Sequence, residues 1–227
     1  MRRISPDTFT LVFGVAYIGL MGNAMFLVAC LPVVFLAMFT DPAQTWLLLA
    51  LLGVLVAPAL AALFSVFRAY SEEGSLEVVR GFWRSWRATA RKALTIGALV
   101  SIALVILVLD IRVLTETSYA GLTVPLLAVL AVLVVAITPL ALAALADVPD
   151  ARIRDLLKVS ALLGVRRWYL TALSVIILIT LIAFFAYRPA LALGLAATPL
   201  LYVVWANSRF TLKPAVVDVE ITTTATP

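Results

Sequence analysis

The chain contains no histidine and a single cysteine, Cys30. Zinc sites assemble from clusters of Cys, His and carboxylates, and these residues supply no such cluster. The same absence removes the Ser–His and Cys–His pairs of nucleophilic catalysis, and one thiol cannot close an intrachain disulfide. Charge is also scarce. Asp, Glu, Lys and Arg make up 13% of the 227 residues, against about 25% in a soluble domain. With 64% of residues hydrophobic, a water-facing surface of ordinary size cannot be built. Hydrocarbon must therefore solvate most of the molecule. Gly-rich phosphate loops and His-based motifs are missing too, so neither an enzyme nor a cofactor or metal site is expected.

What the chain does have is a series of apolar spans. Uncharged stretches predict transmembrane helices at about 11–37, 46–67, 93–109, 119–146, 168–187 and 190–208. Crossing a core of about 30 Å takes roughly 20 residues. The third span only just suffices, and the first is long enough to require a tilt or a break at Pro32. The predicted fold is all-α: a polytopic membrane helix bundle over residues 1–212, with six transmembrane helices and cytoplasmic amphipathic helices. Residues 213–227 read as a flexible cytoplasmic tail. Leu27-Val28-Ala29-Cys30 fits a lipidation pattern, but the surrounding stretch is uncharged from 8 to 40. A cleaved leader has an apolar core of about 7–15 residues, so the segment is retained as a helix.

The basic residues orient these spans. Of the 17 Lys and Arg, all but Arg112 and Arg188 fall on one side: Arg2 and Arg3, the 68–92 and 147–167 loops, and Arg209 with Lys213. The positive-inside rule then places both termini in the cytoplasm, as expected of a multi-pass protein of the bacterial cytoplasmic membrane. Trp46, Trp83, Trp86, Trp168 and Trp205 all lie in loops or near span ends, where amphipathic rings settle at the interface. The net charge of +5 therefore reads as attraction to the bilayer's anionic surface rather than to nucleic acid.

Spans two, four and six each carry a small residue followed by proline: Ala57-Pro58, Thr138-Pro139 and Thr198-Pro199. Each proline precedes the charge that closes its span by eight to ten residues. Pro58, Pro139 and Pro199 are thus candidate helix-break positions at a shared depth, as in transporters with central sites. The competing reading is composition, because Ala and Leu saturate the chain and proline is tolerated in membrane helices. Small residues also recur every four positions in Ala57, Ala61 and Ser65 and in Ala190, Gly194 and Thr198. That spacing lets helices approach closely in lipid.

The stretch 75–92 is the most patterned polar region. Leu76, Val79, Trp83, Trp86 and Ala90 form one helical stripe, and Arg80, Arg84, Arg87 and Arg91 form a second about 100° round the helix. Such a helix is expected to lie in the headgroup layer with aromatic rings down and guanidinium groups at its edge. Arg166, Arg167 and Trp168 close a weaker counterpart, 150–167. Arg80, Phe82, Trp83, Arg84, Trp86, Arg87, Arg91, Arg166, Arg167 and Trp168 are the candidate docking or interfacial set. A basic face so short and so close to apolar rings speaks against nucleic acid. The spans hold no Asp, Glu, Lys, Arg or His, whereas ion and proton relays need such groups facing a cavity. Asn23 is the main polar group within them, and such groups usually bond to neighbouring helices.

The run Ala57-Pro58-Ala59-Leu60-Ala61-Ala62-Leu63-Phe64-Ser65-Val66-Phe67-Arg68, followed by Gly81-Phe82-Trp83-Arg84-Ser85-Trp86-Arg87, resembles the YesL-like family of bacterial integral membrane proteins. Its members share a Gly-Pro-Ala turn into the second span, an aromatic-rich basic helix, and an end to the first span like Pro32-Val33-Val34 here. Ala57 stands where the family often has Gly. The resemblance implies an accessory role in carbohydrate uptake, with subunits of a sugar ABC transporter as partners. Two functions are therefore carried forward. One is a membrane accessory protein that docks through its cytoplasmic helices, which the barren spans favour. The other is a small stand-alone transporter or channel for a neutral solute, which the repeated prolines favour.

Overall fold

A computed structural model describes the backbone of residues 6–224 and the side chains of residues 13–213. Arg2 and Arg3, and the last residues of the expected tail, lie outside the described residues. Ten α-helices follow in chain order, and among the described residues there is no strand. They are α1 Pro6–Ala29, α2 Leu31–Phe39, α3 Pro42–Gly53, α4 Val56–Glu73, α5 Val78–Leu114, α6 Ala120–Asp147, α7 Ile153–Arg166, α8 Trp168–Tyr187, α9 Pro189–Leu191 and α10 Ala197–Thr224. A π-helical turn, Ala192–Ala196, joins the last two.

Four segments are long and apolar enough to cross a membrane alone: α5, α6, α8 and Pro189–Lys213. Two bent pairs, α1 with α2 and α3 with α4, raise the number to six if each is one span. The first pair bends by 75°, and it does so at Cys30, two residues before Pro32. Pro32 has no N–H to give the preceding turn and its ring crowds the carbonyl four residues back. The bend is where the sequence requires it. α1 alone, at about 1.5 Å per residue, measures roughly 36 Å, so α2 departs near the far edge of a 30 Å core. Neither α2 nor α3 contains a buried residue. Their turn is tied by Asp41, which caps α3 by accepting from the Ala43 N–H at 2.9 Å, and by Thr40 and Thr45, whose hydroxyls bond at 2.9 Å.

The core is built on α4, which buries Ala57, Pro58, Ala59, Ala61, Ala62, Leu63, Phe64, Val66 and Phe67. α5 and α6 pack against it. The small residues do what their spacing suggested. A Cβ built on Gly97 of α5 would stand 2.8 Å from Ala57 Cβ and 2.9 Å from the Val54 carbonyl oxygen. One turn past Ala61, Ser85 of α5 donates its hydroxyl to Ser65 at 2.7 Å. Helices without a hydrophobic drive between them associate through this kind of close packing and hydrogen bonding. α4 then ends at Gly74, whose φ of 64° is a left-handed conformation that glycine adopts without strain.

Three expectations need correction. The amphipathic stretch 75–92 is not a separate surface helix, because α5 runs unbroken for 37 residues, from Val78 to Leu114. No Gly or Pro interrupts Ala90-Arg91-Lys92-Ala93-Leu94, and all five are good helix formers, so nothing ends the helix at the expected boundary. Trp205 does not present its ring to the surroundings either, being 2% exposed. Its ring packs 5.9 Å from Phe67 and 5.4 Å from Tyr202, centroid to centroid. At the other end of the sequence, α10 continues to Thr224, past the expected end of the helical domain at 212.

Candidate functional site

Most of the basic residues gather at one end of the bundle, where α4 turns into α5 and α6 into α7. Along the first turns of α5, Arg80, Arg84, Arg87 and Arg91 are all exposed. Val78, Phe82, Thr89, Ala93 and Ile96 are buried. This buried seam lies one position N-terminal of the apolar stripe read from the sequence, a rotation of about 100°. Phe82 is 0% exposed and belongs to the core, so it offers nothing to a partner, while Val79 is 41% exposed. The cause lies in the contact with α4. α4 meets α5 through Ser85 and Gly97, a hydroxyl and a missing side chain that an apolar pattern does not register. Trp83 and Trp86 are half-buried and continue an edge-to-face chain from Phe82, with centroids 5.4 and 5.8 Å apart. The exposed product is an open groove of about 710 Å³ lined by Val79, Arg80, Trp83, Arg84, Arg87 and Ala88.

The second basic segment is brought to the same end. Lys92 Nζ donates to the carbonyls of Pro149 at 2.6 Å and Ala151 at 3.1 Å, pinning the α6–α7 turn to α5. Arg167 donates to the Phe210 carbonyl at 2.7 Å and stands 5.2 Å from the Phe210 ring centroid. It is thus committed to holding α10. Arg166 and Trp168 are exposed. Of this trio, only these two remain open to the surroundings.

The three prolines do not converge on a polar centre. Pro58 is the third residue of α4, after the 52° bend from α3. Pro199 is the third residue of α10, after the π turn. Pro139 sits inside α6, which continues through it. A cavity of about 210 Å³ beside Pro139 is walled by Leu60, Phe64, Leu104, Leu178 and Leu201. Thr138 also lines it, with its hydroxyl already given to the Val134 carbonyl at 2.8 Å.

A further cluster went unread in the sequence. Arg68, Asp147 and Arg209, the charges that close the three proline-bearing spans, meet in space. Arg68 Nη1 donates to the Asp147 carbonyl at 2.9 Å, and its Nε lies 4.0 Å from the Glu72 carboxylate. Arg209 also pairs with Glu72, and its guanidinium lies 5.5 Å from the Trp205 ring centroid. These groups border a cleft of about 830 Å³, whose other wall is Tyr202, Ala206 and Phe210. The signal was available. The similar distance from each proline to its closing charge puts those charges at one depth on α4, α6 and α10, where they face each other.

The amide of Asn23 is fully used. It donates to the Gly194 carbonyl at 2.9 Å and accepts from the Thr198 N–H at 2.6 Å. Among the described residues there is no group of three His, Cys, Asp or Glu side chains able to hold a metal.

Residues 43–111, from α3 through most of α5, match the model of a family described as "Protein of unknown function, DUF624". No curated protein and no solved structure matches the chain. The match covers the α4–α5 hairpin and its basic helix, the same stretch on which the resemblance stated above rests most heavily. The apolar helices make the chain a multi-pass membrane protein by length and composition.

Proposed function

We propose that this chain is a non-transporting accessory protein of the bacterial cytoplasmic membrane, a YesL-like member of the matched family. In this reading both termini face the cytoplasm and the protein docks on a carbohydrate ABC-type uptake system. The observation that carries the proposal is the unbroken length of α5. At about 1.5 Å per residue, its 37 residues span roughly 55 Å, against a core of about 30 Å. One end of that helix must leave the hydrocarbon. The basic end bears Arg80, Arg84, Arg87 and Arg91 on an exposed face beside Trp83. Arg and Trp are the residue types that anchor protein interfaces, and Phe82 and Lys92 hold the face rigid by locking α5 to the core and to the α6–α7 turn.

The interior supports the same choice over a transporter. A path for a neutral solute needs polar groups to replace water, and the cavity beside Pro139 is apolar. Asn23, the strongest candidate for a solute contact, is consumed in holding α10 to α1. Purified protein in liposomes decides between the two functions. Flux of radiolabelled neutral sugars should equal that of empty liposomes. Reproducible uptake by the protein alone, lost on Pro139→Ala, would overturn the accessory reading.

A further inference from the structure

The cleft between the ends of α4 and α6 and the middle of α10 is more than a junction of charges. Arg68 and Arg209 share one carboxylate, Glu72, in a chain of contacts, which leaves a positive charge over. Two polar atoms beside them have no hydrogen-bond partner: Asp147 Oδ1 and Trp205 Nε1, both buried. An acceptor and a donor without partners are costly in a folded protein, and both residues line this cleft. Burial is especially secure for Trp205, at 2% exposure. At the mouth, Lys213 is exposed, and no carboxylate among the described residues pairs with it; its ammonium stands 5.9 Å from the Phe210 ring.

The wall of the cleft gives the shape of what would fit. Tyr202, Ala206 and Phe210 recur every fourth residue on α10 and so form one stripe along it. Tyr202 is 38% and Phe210 52% exposed, so the stripe is open to the surroundings and apolar for most of its length. From Tyr202 to Lys213 it rises about 16 Å at 1.5 Å per residue, from within the span to just beyond the ends of α4 and α6. A ligand lying along it would be apolar at one end and would meet cations, a carboxylate and an indole N–H at the other. At about 830 Å³ the cleft falls within the range of specific small-molecule sites, roughly 300–1,000 Å³.

We propose that this cleft holds a membrane phospholipid whose phosphodiester is joined to a hydrogen-bond-donating head, an ethanolamine ammonium or glycerol hydroxyls. Basic pockets between span ends are where head groups are bound. Lys213 and the Trp205 N–H suit the phosphodiester, and one acyl chain follows Tyr202 and Ala206. Asp147 supplies the discrimination. Its oxygen without a partner accepts a hydrogen bond from an ammonium or a hydroxyl, finds no donor on a choline head, which leaves that head only its charge attraction, and repels a head carrying further phosphates. The site is separate from the Arg80 face of α5. Head groups line both leaflets, so the proposal does not depend on the orientation of the chain or on its docking partner.

Native mass spectrometry of the purified full-length protein in mild detergent tests it. Dioleoyl phosphatidylethanolamine, phosphatidylglycerol and phosphatidylcholine would be added separately at equal concentration. The expected result is one retained equivalent of the ethanolamine or glycerol lipid, at least about fivefold over the choline lipid. Whichever of the first two dominates identifies the head. Asp147→Asn should erase the preference over choline, and Lys213→Glu should weaken retention of all three. If Asp147→Asn does not fold, the Lys213→Glu and Tyr202→Ala proteins carry the test through lost retention. Equal retention of the choline lipid by the unaltered protein, no retained lipid at all, or retention indifferent to the substitutions would overturn the proposal.

Discussion

The Thr198 backbone N–H donates to Asn23 Oδ1 at 2.6 Å instead of to a carbonyl of its own helix. Asn23 Nδ2 in turn donates to Gly194 O at 2.9 Å, so the amide takes up the donor and acceptor of the rung that an α-helix would close between these residues. The π turn opens that rung, since the Ala197 N–H donates back five residues to Ala192. Pro199, with no N–H, cannot help to close it. A polar side chain on α1 therefore completes the backbone of α10, which explains an Asn, 3% exposed, in an otherwise apolar span.

Replacing Asn23 by Leu leaves both backbone groups unpaired in a dry interior. Each such group costs about 1–3 kcal/mol, and exchanges within membranes soften the loss, so a net destabilisation of about 2 kcal/mol is expected. Thermal unfolding in mild detergent should show a clear fall in Tm for Asn23→Leu. An unchanged Tm would mean that the π turn satisfies itself.

At Gly97, α5 packs tightly against the start of α4, and a methyl there has no room. Gly97→Ala should push the two helices apart and lower stability by about 1–3 kcal/mol, the usual range for overpacking. Ala57→Gly on the same protein should restore only part of the loss, because the Val54 carbonyl remains 2.9 Å from the new Cβ. Gly121→Ala, with nothing within 4 Å, is the control and should be neutral or slightly stabilising. Equal behaviour of Gly97→Ala and Gly121→Ala in the same unfolding assay would refute the close approach.

The continuity of α5 is measurable as a length. Spin labels at Val79 and Val113, both exposed, should be about 51 Å apart along a straight helix at 1.5 Å per residue. A surface helix meeting the span at a right angle near Lys92 would bring them to roughly 37 Å on the same rise. A single narrow distribution near the longer distance is expected from pulsed electron resonance. A maximum near the shorter one would restore the separate interfacial helix.

How far the sequence could be read follows from which forces leave a trace in it. Helical spans, the bend before Pro32 and the close packing at Ala57 were legible, because hydrophobic runs, a missing N–H and small residues every fourth position each act locally. The face of α5 that is buried was not. It is set by Ser65 meeting Ser85 and by Gly97 receiving Ala57, contacts between helices in which the decisive residues are small or polar. The apolar stripe through Val79 and Trp83 therefore pointed about 100° away from the true seam, and Phe82, a candidate for docking, is part of the core. Trp205 looked like an interfacial ring from its place near a span end, yet Phe67 and Tyr202 enclose it. The Arg68–Asp147–Arg209 cluster fell between these cases: its spacing from the prolines was visible, but only the packing of α4, α6 and α10 showed that the charges meet.

The central claim is that the exposed Arg80 face of α5 docks on another membrane complex, and affinity purification from mild detergent tests it most directly. The tagged protein and an Arg80→Glu, Arg84→Glu, Arg87→Glu variant would be recovered side by side, with equal membrane insertion checked first. The account predicts that subunits of a sugar ABC-type importer co-purify stoichiometrically with the unaltered protein and are lost from the variant. Recovery of the same subunits in equal amount with the variant, or of none with either protein, would contradict it.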